Sequence, residues 1–245
     1  MILKIIRFAL NRIVRIVLIF QKHACKEILV LGDSHALIFS NRSFRMAFPY
    51  YYFNVVSVGG ATISGLENPN SKTQALPIFM DNLKTSTAET IIILLGEVDT
   101  GFVIWYRSEK YGVSVSEMMD NALRNYQDFL LLLSKEHQVI CVSTPLPTIK
   151  DGQDWGEIAN ARRGVETSQI DRTKLTLRFN NHMKEFCRIN KIGYLNFDNE
   201  SIGEAGVVSS KLLNKNPNDH HYEPRAYINM IIPKLKKCIE QGTSI

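Results

Sequence analysis

Five short apolar runs punctuate the chain: Glu27 to Leu31, Phe53 to Val58, Thr90 to Leu95, Gln138 to Ser143 and Ile192 to Phe197. Each is rich in Ile, Val and Leu and shows little polar alternation. Strands buried on both faces of a parallel sheet read this way. Between the runs the apolar period lengthens. Ser114 to His137 places Val115, Met118, Met119, Ala122, Leu123, Tyr126, Phe129, Leu130 and Leu133 on a helical face. Thr167 to Asn190 does the same with Ile170, Leu175, Leu177, Phe179, Met183 and Phe186, and Pro224 to Gln241 predicts a closing helix with proline in its first turn. Strand alternating with helix predicts right-handed crossovers and a three-layer α/β/α sandwich. In such sheets, sites form where strands end. Two long connections, Gly59 to Lys72 and Ser143 to Glu166, are placed to border such a site.

Residues 1–20, MILKIIRFALNRIVRIVLIF, break the pattern. Lys4, Arg7, Asn11 and Arg15 recur at helical spacing, with Arg12 beside them. Cations interrupt every apolar run, which argues against a spanning helix and against a signal peptide. A basic amphipathic helix on an anionic membrane surface fits better; a helix packed on the protein's own core or on a partner is the alternative. The expected division is therefore a helix over residues 1–23 and one domain over 24–245. At 245 residues, 45% hydrophobic and 22% charged, the chain can bury a sizeable core. The net charge of +5 is mild, and no basic face or nucleic-acid module accompanies it. Cys25, Cys141, Cys187 and Cys238 form no C-x-x-C pair, so they read as reduced thiols of a cytoplasmic protein, which residues 1–20 would hold at the inner face of the membrane.

Gly32-Asp33-Ser34-His35 follows the first apolar run directly. A strand ending in a tight turn can present a serine hydroxyl at the sheet edge. Ser34 also reads as the N-cap of a helix beginning at Ala36. Its flanks are not G-x-S-x-G, so the nucleophile elbow of α/β-hydrolases is absent. Serine becomes a nucleophile when a histidine takes its proton and a carboxylate orients that histidine. Asn218-Asp219-His220-His221 offers both groups near the other end of the chain. Adjacent histidines are expected to point apart, so at most one of His220 and His221 faces Ser34; Asp219 is near enough to hold His221. Gly59-Gly60 and Gly96-Glu97-Val98-Asp99 follow the second and third runs. Glycine at a strand end lets backbone N–H groups face a ligand, and an oxyanion needs two or three such donors.

Together these four blocks resemble the SGNH (GDSL-type) hydrolase superfamily. The resemblance spans about residues 26–235 in strand order and implies a mainly parallel, flavodoxin-like five-stranded sheet. It implies Ser34 as nucleophile, His221 as base and Asp219 as its orienter. Gly60 with the Ser34 N–H would bind the oxyanion, and Gly96, Glu97, Asp99 and Arg107 would line the oxyanion or substrate site. Two departures accompany it. Val98 stands where the family has an oxyanion asparagine, and removing one such donor typically costs a factor of about 10²–10³ in rate. Asn160, Asn180, Arg107 and Arg162 are candidate replacements. The spacing in the last block is also irregular: Asn218, not Asp219, lies three before His221.

The implied chemistry is hydrolysis or transfer of an acyl group, often O-acetyl on a glycan, with no cofactor and no metal. Glu67 to Lys72, Trp105, Tyr106, Arg107 and Trp155 would suit a sugar. Two rivals use the same residues differently. Asp33, His35, Asp219, His220 and His221 resemble part of a metallophosphoesterase site, but its Gly-Asn-His and Gly-His-x-His blocks are missing. A non-catalytic glycan-binding protein on the same fold is the other.

Overall fold

The structure is a computed structural model that describes residues 25–152 and 167–241. The basic segment, its boundary at residue 23, and Trp155, Asn160 and Arg162 lie outside the described residues. Five strands form one sheet: β1 (Lys26–Gly32), β2 (Tyr51–Ser57), β3 (Thr90–Leu94), β4 (Gln138–Val142) and β5 (Gly193–Leu195). The order is β2-β1-β3-β4-β5 and every neighbouring pair is parallel. This is the flavodoxin-like order, with its switch point between β1 and β3.

The uninterrupted apolar runs follow from burial on both faces. Leu29, Leu31, Ile91, Ile93, Val139 and Cys141 face one core, with Phe79, Tyr126 and Phe179 packed over them. Their neighbours Ile28, Val30, Ile92, Leu94, Ile140 and Val142 face the other, under Phe39, Phe44, Tyr227 and Ile231. Successive side chains point to opposite faces, so both sets must be apolar.

The covering helices are α1 (Ala75–Thr85), α2 (Ile104–Tyr111), α3 (Val115–Ser134), α4 (Gln169–Ile189) and α5 (Pro224–Gln241). Ser114 caps α3 by accepting the Glu117 N–H, and Ser168 caps α4 by accepting that of Asp171. In both, an acid three residues after the serine adds its charge to the first turn. Helix α1 was not expected. It starts from Gln74 in a left-handed conformation (φ 48°) with no side-chain cap, so the usual start signal is missing.

Two corrections concern the loops that follow the strands. Ser34 is not the N-cap of the turn it enters. Asp33 is: its carboxylate accepts the His35 N–H, and a 3-10 segment runs Ser34–Ser40. The connection after β2 is not irregular throughout, because Ile63–Leu66 forms one helical turn. The four cysteines are free thiols, three of them buried. No helix among the described residues is long and apolar enough to cross a membrane.

Candidate active site

Strand β1 delivers Ser34 at the switch point. Gly32 makes this possible: a Cβ there would lie 2.3 Å from the Leu94 carbonyl oxygen and 2.8 Å from Ala36 Cβ. Only glycine lets β1 stay paired to β3 while the chain turns over it. The turn is then tied down. Asp33 N–H donates to the Leu94 carbonyl at 3.2 Å, and the Ser57 hydroxyl donates to the Asp33 carbonyl at 2.8 Å. Ser34 is left half-buried above the edge.

The late block reaches the same edge from the loop before α5. His221 Nε2 lies 2.8 Å from Ser34 Oγ, across 187 residues of sequence. Its Nδ1 lies 2.6 Å from Asp219 Oδ1, and the same oxygen accepts the His221 backbone N–H at 3.0 Å. An aspartate two residues before a histidine closes an Asx turn that holds both the backbone and the ring, so no three-residue spacing is needed. Asn214 donates to Asp219 Oδ2 at 2.9 Å. Burial pushes the Asp219 carboxyl up, but the His221 hydrogen bonds and the His221 and His220 charges outweigh it, and the net shift is below the ordinary carboxylate value. The loop itself is anchored from β4. The Thr148 hydroxyl donates to the His220 carbonyl, and the buried Tyr222 hydroxyl accepts the Leu146 N–H, both at 2.6 Å. Neither Tyr222 nor Thr148 carried a motif that would have marked it.

The expectation that His220 and His221 point apart is corrected. Their rings lie 4.2 Å apart at 32°, and His35 closes a three-ring cluster at 4.6 Å from His221 and 5.6 Å from His220. One nitrogen of each ring lies within 4.8 Å of the others, which makes these three a group able to hold a metal ion among the described residues.

The second block leaves Gly60 exposed at φ +71° in the loop after β2, the strand paired to β1. Neither its N–H nor that of Ser34 meets an acceptor among the described residues. The third block is placed differently from the sequence expectation. Asp99 does not reach the surface. It is fully buried and accepts the Ile63 N–H at 2.7 Å, the Ser64 N–H at 3.1 Å and the Ser64 hydroxyl at 2.6 Å. Burial pushes its carboxyl up against those bonds and the charge of Arg107. Asp99 therefore supports the loop carrying Gly60 from behind, and Arg107 lies half-buried on α2 within reach of its charge. Gly96 is buried at φ +116°, where a Cβ would meet Thr144 Oγ1 at 2.5 Å, so it is a close-approach residue. Glu97 is also buried, against Gly101, where a Cβ would stand 3.1 Å from Glu97 Oε1.

Asn180 is removed from the list of oxyanion donors. Its amide is engaged by Thr144 N–H, Thr144 carbonyl and Asp198 Oδ1 at 2.9, 2.9 and 2.7 Å. Trp105 is a packing residue whose indole N–H donates to the Thr100 carbonyl at 2.8 Å; Tyr106 beside it is exposed. A cavity of about 380 Å³ adjoins Ser34 and His221, bordered by Leu37, Ile38, Pro224 and Tyr227.

No family model matches the chain, and no curated protein matches it. Solved structures do. The chain is similar to a GDSL-like lipase from Bacteroides thetaiotaomicron VPI-5482, at 15% identity and TM-score 0.62 over 88% of each chain. It is similar to a putative acylhydrolase from Bacteroides fragilis NCTC 9343, at 14% identity and TM-score 0.62 over 89% of this chain and 88% of that one. A carbohydrate acetylesterase from Sinorhizobium meliloti aligns at 11% identity and TM-score 0.54, over 88% of this chain and 99% of that one. The chain has the SGNH (GDSL-type) hydrolase fold.

Proposed function

We propose that this protein is a serine esterase that hydrolyses acyl esters, with acetyl groups on carbohydrate as the substrate class. The observation that carries the reading is the continuous hydrogen-bonded relay from Ser34 Oγ through His221 to Asp219, at 2.8 and 2.6 Å. Ser34 attacks the ester carbonyl while its proton passes to His221 Nε2. Asp219 keeps the other ring proton on Nδ1 and stabilises the imidazolium. The carbonyl oxygen, now negative, takes the N–H groups of Ser34 and Gly60. Collapse expels the alcohol, which leaves with the proton from His221, and the acyl group stays on Ser34. Water then adds to the acyl carbonyl, giving its proton to His221, and the acid departs as that proton returns to Ser34.

Val98 supplies no side-chain donor, so the oxyanion is held by backbone groups alone, at a cost of about 10²–10³ in rate relative to a site with three donors. The carbohydrate part of the reading rests on the acetylesterase likeness and on exposed Tyr106, stacked on Phe102 at 5.6 Å. The partly open, mostly apolar pocket beside Ser34 gives the acyl group an apolar surface to lie against.

The test is turnover of p-nitrophenyl acetate and of acetylated xylo-oligosaccharides by wild type and Ser34→Ala, with a fluorophosphonate as covalent probe. The expected result is label on Ser34 in wild type, none in Ser34→Ala, and a loss of about 10⁴-fold or more in kcat/KM. Equal turnover in Ser34→Ala, or no labelling and no turnover in wild type, would reject the assignment.

A further inference from the structure

The serine chemistry uses His221 and leaves two imidazoles beside it without a role. His35 is 4% exposed, on the first turn after β1. It is held as His221 is held: Asp33 Oδ1 accepts the His35 backbone N–H at 2.9 Å and lies 3.2 Å from its Nδ1. Asp33-x-His35 and Asp219-x-His221 are thus the same Asx turn, built at two places and brought face to face. In each, a carboxylate oxygen lies within hydrogen-bond distance of Nδ1 and holds the ring with Nε2 on its far side. A carboxylate behind an imidazole is the outer-shell arrangement that fixes the tautomer of a metal-binding histidine. His220 brings a third ring against His221.

A second observation concerns charge. Asp33 is fully buried, and its Oδ2 meets no hydrogen-bond donor among the described residues. A buried carboxylate with one oxygen unmatched calls for a positive charge nearby. His35 is the ring through which a cation would supply it.

We propose that His35, His220 and His221 form a site for a divalent transition-metal ion of the zinc class. Occupation would draw His221 Nε2 away from Ser34 and shut off the serine. The second half rests on the esterase reading; the first does not. A tetrahedral ion with Zn–N bonds of about 2.0–2.1 Å needs ligand nitrogens roughly 3.4 Å apart. The three nitrogens lie within 4.8 Å of one another, so small side-chain rotations close the site. Ser34 Oγ, 2.8 Å from His221 Nε2, stands where a fourth ligand or its water would sit. Imidazole nitrogen suits zinc and copper, and no carboxylate is needed in the inner shell.

The experiment titrates ZnCl₂ into the chelator-treated full chain by calorimetry, with Co²⁺ absorption as a geometric readout. Wild type, Ser34→Ala, His35→Gln and His220→Gln are compared. The expected result is one ion per chain at micromolar affinity or tighter, with tetrahedral cobalt bands. Ser34→Ala should retain the site, and each histidine variant should weaken it by at least about 10-fold, the scale set even by outer-shell changes. Thermal melts identify a variant that has not folded; His220, less buried than His35, is the safer substitution. Absence of binding at millimolar zinc, or unchanged affinity in both folded histidine variants, would overturn the site. Ester turnover by wild type should fall as zinc occupies it, with the same midpoint as the calorimetry. Zinc binding without ester turnover would keep the site and reject the esterase reading. Turnover that is unaffected or raised by bound zinc would reject the shut-off.

Discussion

At the scale of single residues, the turn at Asp219 decides what can be read from the last block. A one-sequence reading sees Asn218 in the position three before His221 and must choose between an altered acid and an altered spacing. The Asx turn resolves it. With the aspartate two residues back, one carboxylate oxygen reaches both His221 N–H groups, at 3.0 and 2.6 Å. This separates two jobs that Asp219→Asn would separate in turn. The asparagine oxygen can still accept the backbone N–H, so the loop keeps its shape, but the charge that stabilises an imidazolium is gone. The expected result is a fall in kcat of about 10⁴-fold, the scale of an aspartate-to-asparagine change in a serine relay, with KM little changed. The pH dependence has a definite sign. The folded carboxyl is held below its ordinary value of 3.8, so its ionised form is favoured by folding. That advantage is fully present above pH 3.8 and is lost as pH falls through the lower folded value. Melting curves of wild type and Asp219→Asn should therefore converge only in strong acid. Convergence already at pH 5 would mean that the His221 contacts do not hold the carboxyl down.

Elements, rather than residues, explain why the third block misleads. Gly96 and Asp99 match a family pattern in which the block lies by the oxyanion, yet Asp99 faces the other way and caps the Ile63–Leu66 turn through three hydrogen bonds. The position of Gly60 depends on that turn. Asp99→Ala would leave two backbone N–H groups and one hydroxyl without an acceptor, at a cost of about 3 kcal/mol, or roughly 6–12 °C in Tm for a chain of this size. Where folded, the variant should lose kcat more than KM, since the second oxyanion donor moves; an unchanged Tm would contradict the capping role. What the sequence made legible follows the same division. The five strands were recoverable because burial on both faces writes itself as unbroken Ile, Val and Leu. Helices α3 and α4 were recoverable because their buried faces repeat apolar residues at helical spacing, and the Ser114 and Ser168 caps fix where they start. Helix α1, entered through a left-handed Gln74, was not. Ser34, Asp219 and His221 stood out because their chemistry is rare at such spacing. The support from Tyr222, Thr148 and Asn214 did not, because ordinary polar residues gain those roles only through contacts that folding creates.

On the scale of the whole molecule, charge is distributed very unevenly. Four of the cationic side chains, Lys4, Arg7, Arg12 and Arg15, lie within residues 1–20, which hold no acidic residue. They account for +4 of the net +5, so the rest of the chain is close to neutral at +1. A membrane-surface role would therefore belong to this segment and not to the enzyme-like domain. Each cation near an anionic bilayer contributes about 1 kcal/mol, so four contribute about 4 kcal/mol. That is roughly a 10³-fold preference for anionic over neutral vesicles. The apolar residues between the cations would add an attraction independent of lipid charge. These two contributions respond differently to salt. Raising the ionic strength from 0.1 to 1 M shortens the screening length from about 10 to 3 Å and should erase the anionic preference while leaving the weaker apolar binding. Co-sedimentation with phosphatidylglycerol and phosphatidylcholine vesicles, with and without residues 1–20, reads both. The full chain should pellet with the anionic vesicles at low salt and the truncated chain should stay in solution. Equal pelleting of the two chains would move the binding surface onto residues 21–245, where a net charge of +1 gives an anionic bilayer little to hold.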